Sequence, residues 1–119
     1  SSQQKEKETN DAAGRLDKKA LRKMRADIIT RRSKIINPIE KRIAKVESGI
    51  EKNETRLKEL HSSMQEASEN QDGQKIVKIS QSIHTCEEAI DTLFDELEDL
   101  TNSLEEHSAD FEKQLEGLE

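Results

Sequence analysis

The chain has 119 residues and a formal net charge of −6; 39% of its residues are charged, 30% are hydrophobic, and it has no Trp or Tyr. Those proportions exclude a thick layered core and suit long solvated helices. No stretch approaches the roughly 18 apolar residues of a membrane span, and the single cysteine, Cys86, excludes an internal disulfide.

Residues 1–14 are polar, lack periodicity and end at Gly14. They read as a disordered linker from something upstream. The chain starts at Ser1, without Met, so it reads as a piece of a longer protein. No signal peptide is visible, and a cytoplasmic location is the default expectation.

From Arg15 the pattern becomes helical. Residues 15–45 hold 12 Lys/Arg against 3 Asp/Glu, a net of +9. An apolar ladder begins at Ile29 and runs through Ile36, Ile39, Ile43, Val46, Ile50, Leu57, Leu60, Met64 and Ala67. Counting Asn53, it steps by three and four from Ile36 onward, which is a heptad with apolar a and d positions. Asn37-Pro38-Ile39-Glu40 interrupts this helix. Pro38 lacks an N–H, Asn37 is a good N-cap and Glu40 sits where a capping box needs it. A break near residue 36 with a restart at Pro38, or a kink, is expected. The basic segment before it carries Leu21, Met24, Ile28, Ile29, Ile35 and Ile36. This set is expected to pack on the end of a later helix around Phe111 and Leu115, while Ile28 and Ile35 at g positions leave some apolar surface exposed.

Glu69-Asn70-Gln71-Asp72-Gly73-Gln74 is a polar turn, with Gly73 at a place where positive φ costs little. A second ladder follows: Ile76, Ile79, Ile83, Cys86, Ile90, Leu93, Leu97, Leu100, Leu104, Phe111 and Leu118, with His107 and Gln114 filling the register. The two ladders mirror each other about Gln71. Folding there sets Ala67 against Ile76, Leu60 against Ile83, Ile50 against Leu93 and Ile39 against Leu104. The expected fold is all-α: an antiparallel two-helix coiled-coil hairpin over residues 15–119, with helices near 16–36, 38–69 and 74–117, and a monomer, because the pairing is in cis.

Residues 87–119 hold 13 Asp/Glu against Lys113 alone, a net of −12. Folding therefore lays a basic helix along an acidic one. Arg42 and Glu96, both at g, are within reach of each other, and Arg32 is expected near Asp110 and Phe111. Asn53 faces Ile90 as a lone polar seam residue of the kind that fixes register, and Cys86 is a small core residue. His107 is a partly exposed seam histidine.

Arg31, Lys34, Lys41 and Lys45 fall at outward c and f positions and form a basic stripe. Such a stripe suits phosphate-backbone contact, although on its own it more readily reads as a plain solvated face. Without an exposed aromatic beside it, any nucleic-acid binding is expected to be salt-sensitive and weakly sequence-specific. His61, His84 and His107 have no metal-ligand spacing, and there is no P-loop, dinucleotide fingerprint or nucleophile elbow. No catalysis by this chain, no cofactor and no metal is expected.

Lys18-Lys19-Ala20-Leu21-Arg22-Lys23-Met24-Arg25 opens a basic helix that continues through Arg31-Arg32-Ser33-Lys34 into Asn37-Pro38-Ile39-Glu40-Lys41-Arg42-Ile43-Ala44-Lys45-Val46-Glu47. A heptad helix, a short Gly-containing turn and an acidic returning helix follow. This resembles the C-terminal coiled-coil extension of ABC-F proteins, the tandem ATP-binding-cassette ATPases without membrane domains, and within them the YheS/Uup-like branch. The likeness covers roughly residues 18–118. It implies two nucleotide-binding cassettes upstream, which would bind ATP, and an arm that contacts ribosomal RNA or DNA. Carried over by position, the candidate contacts are Lys18, Lys19, Arg22, Lys23, Arg31, Lys34, Lys41 and Lys45. Some members of the family carry an aromatic in the opening segment; this chain has none, which leaves phosphate contact. The alternative is a structural or protein-docking spacer of another cytoplasmic protein, in which outward cations are replaceable.

Overall fold

A computed structural model describes the backbone of residues 2–119 and the side chains of 12–15 and 17–119. It contains two helices, α1 over Ser2–Glu69 and α2 over Gly73–Glu116. The fold is the expected all-α antiparallel coiled-coil hairpin. The backbone from Ser2 belongs to α1, so the linker expected over 1–14 is helical in the described part; the side chains of residues 1–11 lie outside the described residues. Two compact units divide the chain, one of Ser1–Pro38 with Glu105–Glu119 and one of Ile39–Leu104.

The unit of Ile39–Leu104 is the hairpin itself. Val46, Ile50, Leu60, Ala67 and Cys86 are buried, with Val46 only 1% exposed. Ile39, Ile43, Asn53, Leu57 and Met64 on α1 are half-buried, as are Ile76, Ile79, Ile83, Ile90, Leu93, Leu97, Leu100 and Leu104 on α2. Every ladder position in this unit is therefore withdrawn from solvent, which is what a heptad seam requires. Gly49 lets the helices approach closely: a Cβ built there lies 3.3 Å from Leu93 Cδ1. Across the seam Arg42 Nε donates to Glu96 Oε1 at 2.6 Å, as their g positions predict.

Asn53 is half-buried in the seam, as its d position predicts. Its Nδ2 donates to the Gly49 carbonyl oxygen at 2.8 Å, one turn back on its own helix. The amide is thus hydrogen-bonded within α1.

The turn is a Schellman motif followed at once by an N-cap. Asp72 N donates to Ala67 O at 3.0 Å and Gln71 N to Ser68 O at 3.2 Å, the two bonds that define the motif. Its left-handed residue is Gln71, at φ 54°, and no glycine has a positive φ. The expectation for Gly73 is corrected here: it is the first residue of α2. Asp72 then caps α2, its Oδ1 accepting from Lys75 N at 3.2 Å and its carbonyl from Ile76 N at 3.0 Å.

In the other unit Ile28, Ile36 and Phe111 are buried, at 6%, 5% and 3% exposure. Leu115 and Leu118 are half-buried. The expected packing set is corrected in its membership. Ile29 is 48% exposed, and Leu21, Met24 and Ile35 are also exposed, whereas Ile28 is buried. The buried position has slipped from a to g. An α-helix turns through 3.6 residues and drifts against a 3.5-residue repeat, and few apolar residues before Ile36 hold the seam to the heptad.

Pro38 lies inside α1, which is helical without interruption from Ser2 to Glu69. The separate helices expected at 16–36 and 38–69 are one helix, and Asn37 is an interior residue, not a cap. An interior proline costs about 3 kcal/mol through its missing N–H and its clash with the carbonyl four residues back. Burial of Ile36 before it and withdrawal of Ile39 and Ile43 after it offset that cost. The boundary between the two units falls at this residue.

Candidate nucleic-acid interface

The eight cations singled out in the sequence are all exposed. They fall into two groups. Lys18, Lys19, Arg22, Lys23, Arg31 and Lys34 belong to the unit of 1–38, and Lys41 and Lys45 to the unit of 39–104.

Seven of them carry no ion pair or side-chain hydrogen bond among the described residues. Ion pairs are instead formed by other residues, among them Arg42–Glu96, Arg56–Glu59 and His84–Glu88. Arg31 is the exception. Its Nη2 donates to Gln114 Oε1 at 3.1 Å, and Gln114 Nε2 donates to Asp110 Oδ2 at 3.3 Å. Arg31 is therefore turned toward α2 rather than outward, with Gln114 between it and Asp110. The slip that buries Ile28 also moves Arg31 toward the seam, and no count of heptad positions extrapolated from Ile36 reveals it.

Within the unit of 1–38, Lys19, Lys23 and Lys34 share one side of α1 at about 100° per residue. In the unit of 39–104, Lys41 and Lys45 are one turn apart on the same side of α1. Each set offers lysine ammonium groups on long stems, which bind phosphate as point charges rather than in a planar fork. Phe94 is an exposed aromatic, but it sits on acidic α2 between Leu93 and Asp95 and not beside these lysines.

Near the turn a groove of roughly 360 Å³ is lined by Arg56, Lys75 and Lys78 together with Glu66 and Asp72. Its cations are largely offset by the carboxylates, so it is not a second basic surface. Among the described residues no group of three or more His, Cys, Asp or Glu is placed to hold a metal ion. No described helix is long and apolar enough to cross a membrane. No family model, curated protein or solved structure matches this chain.

Proposed function

We propose that this chain is a non-catalytic arm that binds the phosphate backbone of nucleic acid for a larger ATPase of the ABC-F type. One observation carries the binding part: Lys18, Lys19, Arg22, Lys23, Lys34, Lys41 and Lys45 are exposed and, among the described residues, unpaired, although the same chain holds an acidic helix. Folding leaves these charges available instead of spending them across the seam. The attribution to an ABC-F parent rests on the basic opening and the Pro-Ile-Glu step of the sequence. The ligand class follows from the residues: lysines without an aromatic platform read backbone charge and not bases.

The test is fluorescence anisotropy with labelled structured RNA and labelled duplex DNA at low salt. Wild type is run beside Lys34→Glu/Lys41→Glu/Lys45→Glu, with helicity checked by circular dichroism. Loss of binding in a variant that stays helical supports the proposal, and the tighter ligand names the target. Equal binding by both chains, or none by wild type, contradicts it and leaves a spacer or docking hairpin.

A further inference from the structure

In the unit of Ile39–Leu104 the Arg42–Glu96 bond joins two g positions and so fixes one flank of the hairpin. The e positions share the other flank, with the b positions beside them. On α2, Glu87, Asp91, Phe94 and Glu98 fall within about 60° of one another at about 100° per residue, and on α1 so do Glu47, Glu51 and Glu54. Carboxylates thus surround a single aromatic ring. All of these carboxylates are exposed, and among the described residues none of them is in an ion pair. No cation dilutes them. From Glu87 to Glu112 α2 has no Lys or Arg, and the b and e positions of α1 from Glu40 to Glu54 hold only Glu and Ala44.

Phe94 is 48% exposed. Beside it is a notch of roughly 360 Å³, lined by Phe94, Leu97 and Thr101 and by Asp95, Glu98 and Asn102. The ring and the half-buried Leu97 give the notch an apolar wall continuous with the seam, and the two carboxylates give it a charged rim. An exposed aromatic in such a setting is an anchor for a partner. The charge states the partner's chemistry. A phosphate backbone is repelled here. Among the described residues no three carboxylates converge on a metal ion, so the charge is spread along the flank and suits a row of cations. Arginine fits better than lysine, because its planar guanidinium stacks on a ring while its fork reaches a carboxylate. Two copies of this chain each carry a net of −6, which opposes self-pairing and favours a cationic protein.

We propose that the Phe94 flank of the hairpin docks an arginine-rich amphipathic segment of a partner protein, with one arginine stacked on Phe94 beside Asp95 and Glu98. The flank lies within the hairpin unit, remote from both ends of the chain, and uses none of the outward lysines, so it is independent of the nucleic-acid reading.

The probe is a fluorescein-labelled synthetic peptide of about three heptads, with Leu at a and d and Arg at e and g. It is titrated with the full chain and followed by anisotropy, beside peptides with Lys or Glu in place of every Arg. The expected result is saturable binding of the Arg peptide, binding of the Lys peptide weaker by about threefold or more, and none of the Glu peptide. Phe94→Ala should weaken the Arg peptide by about threefold or more and bring it level with the Lys peptide, since the stack is lost without disturbing a core. Asp95→Asn/Glu98→Gln should weaken it by a similar factor, about threefold or more. Glu112→Gln/Glu116→Gln removes the same charge from the other unit and should change binding by less than about twofold. Helicity of each variant is checked by circular dichroism. Three results overturn the proposal: no binding of the Arg peptide, equal binding by Phe94→Ala, or equal loss in the two charge variants, which reduces the effect to general attraction by an acidic helix. Two further results reassign Phe94 and overturn it as well: a dimer of the chain alone that Phe94→Ala abolishes, or a loss of RNA affinity in Phe94→Ala.

Discussion

Gln71 occupies a left-handed conformation that favours glycine, and Gly73 occupies a helical position that does not need one. Exchanging these roles should stabilise the hairpin. Gln71→Gly removes the steric cost at φ 54°, and Gly73→Ala meets open space, with no atom within 4 Å of the new Cβ. Each change should add about 0.4–1 kcal/mol, seen as a raised urea midpoint at constant slope. Asp72→Ala should do the opposite and cost about 0.5–2 kcal/mol, because α2 loses its cap at Lys75 N. Gly49 is constrained for another reason. Gly49→Val would drive a branched side chain into Leu93 and should cost about 1–3 kcal/mol despite the gain in helix propensity. The composition of the turn was legible in the sequence, but its division of labour was not. Gln71 or Gly73 could each have taken the positive φ, and only the hydrogen bonds at Ala67 and Ser68 decide between them.

The helices show where a heptad reading holds and where it drifts. Between Ile39 and Leu104 the apolar spacing alone locates the seam, because the ladder is dense and the turn fixes its phase. The Arg42–Glu96 pair follows from the same spacing. Both side chains are about a third or more exposed, so a double-mutant cycle should show only about 0.2–1 kcal/mol of coupling. Before Ile36 the ladder thins, and neighbours on α2 decide which side chain is covered. Ile28→Ala should therefore cost about 2–5 kcal/mol and Ile29→Ala stay within about 0.5 kcal/mol by thermal or urea unfolding. The reverse order would restore the heptad phase extrapolated from the sequence. Pro38 was legible as a break or a kink but not as which of the two, since local cost speaks for a break and the packing on both sides keeps one helix. Pro38→Ala should recover a hydrogen bond to the Lys34 carbonyl and raise stability by up to about 3 kcal/mol.

At the scale of the whole chain, charge is the organising quantity. A net of −6 conceals +9 over residues 15–45 and −12 over residues 87–119. All eight candidate cations are exposed, and seven of them are unpaired among the described residues. The eighth, Arg31, was out of reach of a sequence argument because its orientation depends on Gln114 across the seam. Leu21 and Met24 were visible as apolar residues, and the structure leaves both exposed. The central claim is that the lysines of α1 bind nucleic-acid backbone by charge alone. The most direct measurement is the salt dependence of wild-type affinity for duplex DNA and structured RNA, followed by anisotropy from low to physiological salt. The account predicts a straight line of log affinity against log salt, with a slope that falls by about 2–3 in Lys34→Glu/Lys41→Glu/Lys45→Glu as three phosphate contacts are lost. An affinity that does not respond to salt, or a slope unchanged in that variant, would contradict it.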